Sequence, residues 1–336
     1  MIIEEYIPLS KLTTLRVGGP ARYLVTVESE SDLLDAVLFA EGVGLPIIPL
    51  GAGSNMLGRD EGVNAVFIKV ALKGIRTSVH ADTVLVTTEA GTAWDSVVEF
   101  AVENGWWGIE NLSSIPGTVG GAVVQNIGAY GAVLSDVLTS VDVFDCREKR
   151  MHTLSAPECA FGYRTSIFKV HQDRHIVVRA TLALSQAPRR NISYKDLTHW
   201  FQGVVAPAVE EIRHAVTTVR AQKFPSLTEY GTAGSFFLNP VMSPENASLL
   251  QSRYPAIPLF PLPEGGVKVP LAWFFEHVVK AKGMRSEGAH VWHAHALVIA
   301  TDEGTTAADI YKLAEEISSE VFDTLGIKIF PEVRLL

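Results

Sequence analysis

The chain has 336 residues, 47% of them hydrophobic, with a formal charge of −9. That length holds two or three domains with ample core, and the acidity argues against nonspecific attraction to nucleic acid or to an anionic membrane. No Lys/Arg cluster with interleaved aromatics reverses this.

The first residues, Met1 to Pro8, lack a basic n-region and a long apolar stretch, so no secretion signal is visible. No apolar run approaches membrane-spanning length. Cys146 and Cys159 stand without CxxC or other metal-type spacing and read as reduced thiols. A soluble, cytoplasmic protein is expected.

In chain order, Ala21 to Val27 has strand character. Ser29 to Asp32 reads as the cap of a helix carrying Leu33, Leu34, Val37 and Leu38 on one face. Pro46 to Leu50 reads as a short buried strand leading into the glycine-rich loop Gly51-Ala52-Gly53-Ser54-Asn55, and Ala65 to Val70 as the next strand. Thr83 to Thr88 opens a second unit. Ala93 to Asn104 is a predicted helix with Trp94, Val97, Val98 and Ala101 on one side and Gly105 past its end.

A second glycine-rich stretch follows, Ser113 to Ala122, extended by Gln125-Asn126-Ile127-Gly128-Ala129-Tyr130-Gly131. Glycine lets backbone approach a ligand closely, and successive N–H groups form nests for anions. Two such loops point to a diphosphate held from both sides, as in a dinucleotide cofactor; the bland alternative is two tight turns. Beyond them, Ser140 to Asp145 and Arg174 to Leu184 suggest a mixed sheet, Arg189 to Leu197 a loop-bearing insertion, and Ala206 to Lys223 a helix. Prolines 225, 240, 244, 255, 258, 261, 263 and 270 then mark a boundary with irregular connections. A third α/β unit holds a helix over Leu271 to Val279, a strand over Ala296 to Ala300 and a helix over Thr306 to Leu325.

Outside the loops, Arg164 amid aromatics is either a clamp for a carboxylate or phosphate or a surface ion-pair partner. Ser235 lacks the Gly-x-Ser-x-Gly spacing of a hydrolase nucleophile and by itself reads as a turn serine. Glu332, between Pro331 and Val333, is either a partly buried acid or base or a solvated terminal residue. His290, His293 and His295 lie in a His-rich run, but no Asp, Glu or Cys at ligand spacing completes a site, so no metal is expected. Trp106 and Trp107 suit stacking on a planar ring, or simply the core.

Taken together, these motifs resemble the UDP-N-acetylenolpyruvoylglucosamine reductase (UDP-N-acetylmuramate dehydrogenase) family. The carrying residues are Thr14-Leu15-Arg16-Val17-Gly18-Gly19-Pro20, Leu50 to Asn55, Ile115 to Ala122 with Gln125 to Gly131, Tyr163-Arg164, Gly234 to Phe237 with Asn239-Pro240, and Pro331 to Arg334. They span essentially the whole chain.

The resemblance implies an α+β, α/β flavoprotein with two FAD-binding α/β domains of the vanillyl-alcohol-oxidase-like type and a C-terminal α/β substrate domain. The implied boundaries are 1–70 (with 327–336 returning to it), 71–222 and 223–326. It implies NADPH-dependent, FAD-mediated reduction of UDP-N-acetylglucosamine enolpyruvate to UDP-N-acetylmuramate in peptidoglycan precursor synthesis, by a monomer that binds neither nucleic acid nor membrane. Arg164 and Glu332 look like the pair that stabilises the enolate, and Ser235 like the acid that protonates C2. Gly51, Ala52, Gly53, Ser54, Asn55, Met56, Ser113, Pro116, Gly117, Gly120, Gly121, Gln125, Gly128 and Arg334 look like FAD contacts. Tyr194, Lys223, Asn239, Tyr254, Lys268 and His295 look like substrate contacts, with Tyr194 on the substrate-covering loop of the loop-bearing type.

Two positions depart from the family pattern. Thr165 stands where Asp is usual and is expected to alter how Arg164 is held; His295 stands where an amide is common, which changes substrate contacts or introduces a pH dependence near neutrality. The alternatives weighed are an FAD-linked oxidase of the same fold, which leaves Arg164, Ser235 and Glu332 unexplained, and a non-catalytic flavin or nucleotide-sugar binder.

Overall fold

The computed structural model describes residues 1–262 and 265–336; Pro263, one of the crowded prolines, lies outside them. Two compact units form. The first comprises Met1–Ile7, Ala21–Gly53 and Asn64–Ala221, and the second Pro8–Pro20, Ser54–Val63 and Gln222–Leu336.

In the first unit, the strands Ile2–Pro8, Pro20–Val27, Val63–Val70 and Ile47–Leu50 line up in that order in one sheet, the last two parallel. The helix Glu30–Val43 starts at a capping box between Ser29 and Asp32, and Gly44 ends it at φ 69°. Its core stripe is Leu33, Ala36, Val37 and Ala40, while Leu34 and Leu38 are exposed. The expected face is therefore corrected. Leu33 and Val37 face inward as expected, but Ala36 and Ala40 complete the stripe in place of Leu34 and Leu38, because positions i+3 and i+7 from Leu33 face inward and i+1 and i+5 do not.

A second sheet runs Arg150–Ser155, Leu138–Asp145, His175–Ser185, Thr83–Glu89, Ile75–His80. Each neighbouring pair is antiparallel, so the expected mixed sheet is corrected to an antiparallel one. Its outer strand Ile75–His80 is exposed on both faces and carries no core pattern to read. The helix Trp94–Glu103 buries Trp94, Val97, Val98 and Ala101 as expected. The segment expected as a loop over Arg189 to Leu197 runs into a short helix, Lys195–Trp200, which Tyr194 precedes as N-cap residue.

The second unit centres on the sheet Gly231–Ser235, Val298–Thr301, Ala289–Val291, Arg285–Ser286. The helix Ala307–Leu325 opens with a Thr306–Asp309 capping box and buries Ile310, Leu313, Ile317 and Val321. Each such burial is worth about 1.5–3 kcal/mol. Short strands Val241–Met242, Val267–Lys268 and Phe260–Pro261 form a separate small sheet in the proline-rich stretch. Cys146 and Cys159 are buried free thiols. Among the described residues no helix is long and apolar enough to cross a membrane.

Candidate functional site

The first unit brings the two glycine-rich stretches together. The strand Ile47–Leu50 delivers Gly51 to a point where an added Cβ would stand 2.4 Å from Thr118 Oγ1. A side chain there would displace the Thr118 hydroxyl, so the bare Gly51 backbone suits this close approach. Thr118 is the N-cap of the helix Val119–Gln125. The second stretch is fastened to the segment before the helix Trp94–Glu103: Val119 N–H donates to Thr92 O, Gly120 N–H to Ala90 O, and Trp94 N–H to Gly117 O. Ser113 is buried with its hydroxyl donating to Glu110 O at 2.6 Å, whereas Pro116 and Gly121 are exposed.

Arg164 lies in the same unit, in the left-handed region at φ 55°. Gly162 and Thr165 close a tight turn around Tyr163-Arg164 with mutual main-chain hydrogen bonds of 3.1 and 3.2 Å. The Arg164 guanidinium donates to Gly128 O at 2.7 Å, and an added Cβ on Gly128 would meet Arg164 Nη1 at 3.3 Å and Val133 Cγ1 at 2.6 Å. Lys169 Nζ donates both to Arg164 O (3.1 Å) and to Gln125 Oε1 (3.0 Å), which ties this turn to the extended glycine stretch.

Sequence reading missed two neighbours of this cluster, Arg220 and Tyr130. Arg220 donates to Ser114 O at 3.1 Å. Burial lowers its affinity for a proton, its hydrogen bond to Tyr130 raises it, and Arg164 repels it. Burial holds the Tyr130 hydroxyl protonated by pushing it up to about 12. The Tyr194 ring meets Tyr130 edge to face at 5.2 Å and remains 45% exposed. The spacing of Arg213 and Arg220, seven apart on one helix, was the signal available in the sequence.

The second unit holds Ser235 and Glu332. Ser235 ends the strand Gly231–Ser235, just after a register shift and after Gly234 at φ 76°. Phe236 and Phe237 follow, 1% and 2% exposed, and anchor the turn. The chain's last segment runs along this stretch: Leu238 N–H donates to Phe330 O, and Glu332 N–H donates to Phe236 O at 2.7 Å. Glu332 and Ser235 thus occupy adjoining main-chain segments. Arg334 and Leu335 then pair, parallel, with Met56 and Leu57. Asn55 Nδ2 donates to Glu332 O at 3.2 Å.

The remaining expected residues of this unit fall in separate surroundings. Lys223 lies beside His295, whose ring is tilted against Phe224 at 5.3 Å. Asn239 Oδ1 accepts from Leu271 N–H, at the start of the helix Leu271–His277. Tyr254 packs edge-on against Trp273 and Phe274, and Lys268 Nζ stands 5.2 Å from the Phe260 ring centroid.

Comparison with known proteins identifies the assembly. Residues 21–154 match the model of an FAD binding domain, and residues 226–336 that of the UDP-N-acetylenolpyruvoylglucosamine reductase C-terminal domain. The UDP-N-acetylenolpyruvoylglucosamine reductase of Pseudomonas aeruginosa is 35% identical over 99% of this chain and 98% of its own. That of Escherichia coli K12 is also 35% identical, over 98% of this chain and 95% of its own. The chain belongs to the UDP-N-acetylenolpyruvoylglucosamine reductase family.

The crystal structure of the Thermus caldophilus reductase superposes with a TM-score of 0.70 at 26% identity, covering 100% of this chain and 99% of that one. The expected flavoprotein fold, FAD-binding part first and substrate part last, is borne out, as is the assignment to an FAD-dependent oxidoreductase family. The residues present suit the cofactor. The Gly51 backbone and the Thr118 side chain approach so closely that a Cβ on Gly51 would run into the Thr118 hydroxyl. Arg334 carries a guanidinium that burial alone perturbs, lowering its affinity for a proton, as suits a partner for an anionic group.

The two departures from the family pattern have structural outcomes. The Thr165 main chain closes the turn with Gly162, while Lys169 and Gly128 O hold Arg164. At His295, burial and then the Lys223 charge push the imidazole down to about 4, which removes the expected pH dependence near neutrality. Leu297 N–H donates to its Nδ1 at 3.2 Å, so the ring proton sits on Nε2 and the side chain is an uncharged donor, as an amide is. An acidic cluster of Asp145, Glu148 and His152 lies elsewhere; its carboxylates accept hydrogen bonds from Arg174, Arg150 and His152 itself.

Proposed function

We propose that this chain reduces UDP-N-acetylglucosamine enolpyruvate to UDP-N-acetylmuramate, taking its hydride from NADPH. FAD, when bound, supplies hydride transfer from NADPH to C3 of the enolpyruvyl group. Everything else falls to the protein's own side chains. Arg164 and Glu332 stabilise the negative charge that develops at C2 and over the substrate carboxylate; donors placed where charge develops lower the barrier most. Ser235 Oγ delivers the proton to C2. A hydroxyl is a weak acid, so this step depends on holding Ser235 beside a strongly basic carbon. Tyr194 covers the substrate, and Lys223, Asn239, Tyr254, Lys268 and His295 bind the nucleotide sugar.

The observation that carries this reading is the hydrogen-bonded run of the Glu332 segment alongside Ser235-Phe236-Phe237, with Glu332 N–H on Phe236 O at 2.7 Å. It keeps the main-chain segments that carry an acid and a hydroxyl side by side, although the two residues are 97 positions apart in the sequence. The three-part division at residues 70 and 222, a monomeric state and a cytoplasmic location belong to the same proposal.

The test is a pair of anaerobic flavin spectra. NADPH is expected to bleach the bound flavin and UDP-N-acetylglucosamine enolpyruvate to restore it. Bleaching without return overturns the proposed substrate.

A further inference from the structure

Ser114 is a non-glycine residue in the left-handed region, at φ 56°, inside the second glycine-rich stretch. That conformation costs an L-residue roughly 1–2 kcal/mol. All three of its polar groups are held from outside. Its N–H donates to Asp95 Oδ1 at 2.6 Å, its carbonyl accepts from Arg220 Nε at 3.1 Å, and its hydroxyl meets Thr217 Oγ1 at 3.1 Å. Asp95 is itself gripped by Arg213 through both oxygens, at 2.8 and 3.0 Å. Burial pushes the Asp95 carboxyl up, but Arg213 and the Ser114 N–H more than reverse this, and it stays ionised.

These contacts come from two helices with a simple spacing. Asp95 is in the first turn of Trp94–Glu103, and Arg213, Thr217 and Arg220 lie at i, i+4 and i+7 on Val209–Lys223, a single stripe. Close by, Trp94 Nε1 donates to Leu112 O at 2.9 Å. So many directed contacts on one strained residue exceed what joining two helices requires. They fix the main-chain direction just before Pro116 and Gly117.

We infer that Asp95 and Arg213, with Thr217 and Arg220, are positioning residues that hold the Ser114 main chain so that the 113–122 stretch is shaped for FAD before FAD arrives. This rests on the reading that residues 113–122 contact FAD. A loop fixed in its bound form loses less conformational entropy on binding. The clamp therefore acts on cofactor affinity more than on the stability of the cofactor-free protein.

The experiment strips FAD from the full-length protein and measures rebinding by flavin fluorescence, alongside the melting temperature of the FAD-free form. Asp95→Ala is expected to weaken FAD binding about tenfold, the scale of losing one charge-assisted hydrogen bond. Asp95→Asn, which retains an oxygen for the Ser114 N–H, is expected to recover much of this. Arg213→Lys keeps the charge without the two-pronged contact, and should fall between wild type and Asp95→Ala; it also serves if Asp95→Ala does not fold. Wild-type affinity in both Asp95→Ala and Arg213→Lys overturns the inference, as does a loss of affinity that follows the melting temperature across the series with no rescue by Asp95→Asn. A wild-type protein that takes up no FAD overturns the FAD reading itself.

Discussion

Asn55 and Glu332, 277 positions apart, are joined by a hydrogen bond from the Asn55 amide to the Glu332 carbonyl at 3.2 Å. Arg334 N–H donates back to the Asn55 carbonyl at 3.0 Å. The first glycine-rich loop and the terminal segment bearing the proposed enolate-stabilising acid therefore share one hydrogen-bond pattern. Asn55→Ala removes one half of it. The expected result is a loss of about 1 kcal/mol in stability, with reoxidation of the flavin by substrate slowed more than its reduction by NADPH. Chemical denaturation and the two half-reaction rates check both.

Ser235 sits between Gly234, in the left-handed region at φ 76°, and two buried phenylalanines that anchor its main chain. Ser235→Ala is expected to leave flavin reduction by NADPH nearly intact and to lower the rate of reoxidation by 10²-fold or more, the usual scale of a positioned proton donor. Glu332→Gln should slow the same step. Stopped-flow flavin absorbance separates the two steps, and equal damage to both removes Ser235 from the proton-donor role.

Tyr194 leans its ring against Tyr130 and leaves 45% of its surface exposed. Tyr194→Phe keeps that contact and deletes only the hydroxyl. Weaker substrate affinity with unchanged flavin retention is expected; release of flavin on gel filtration would mean that the residue belongs to the cofactor site.

The His295 imidazole, lowered to about 4, has its folded value below its ordinary one, 6.5. As pH falls from 6.5 towards 4, the unfolded chain gains a proton there that the folded protein refuses, so this group subtracts stability over that window and contributes no titration at neutral pH. Its NMR signal is expected to stay flat from pH 8 to pH 5. His295→Gln should preserve substrate affinity near neutrality, since both side chains offer an uncharged donor.

Asp145 shows the opposite sign. Burial pushes its carboxyl up, but the main-chain N–H groups of Glu148 and Arg147 and the Arg174 guanidinium outweigh this and bring it to about 2, against 3.8 ordinarily. Its stabilising contribution is full above pH 3.8 and disappears as pH falls through 2. Asp145→Asn is expected to destabilise the protein at pH 7 and to flatten its acid-unfolding profile in that interval, measured by circular dichroism.

Much of this was legible locally. The Ser29–Asp32 capping box and the Trp94, Val97, Val98, Ala101 stripe are short-range patterns, so spacing alone gives them. The glycine-rich stretches were visible too, because glycine marks where backbone must come close. Leu34 and Leu38 misled, since a hydrophobic residue one position off the stripe looks the same in sequence whether it is buried or exposed. The exposed edge strand Ile75–His80 has no core pattern and left no trace.

By itself the sequence determined the residue types, their order, the local helices and turns, and through the motifs the family. Tertiary structure alone decided which distant residues meet: Gly51 on Thr118, Arg164 on Gly128, Asn55 on Glu332 and Asp95 on Ser114. It also decided the charge of His295, because burial and a neighbouring lysine are properties of a folded environment that residue spacing does not encode.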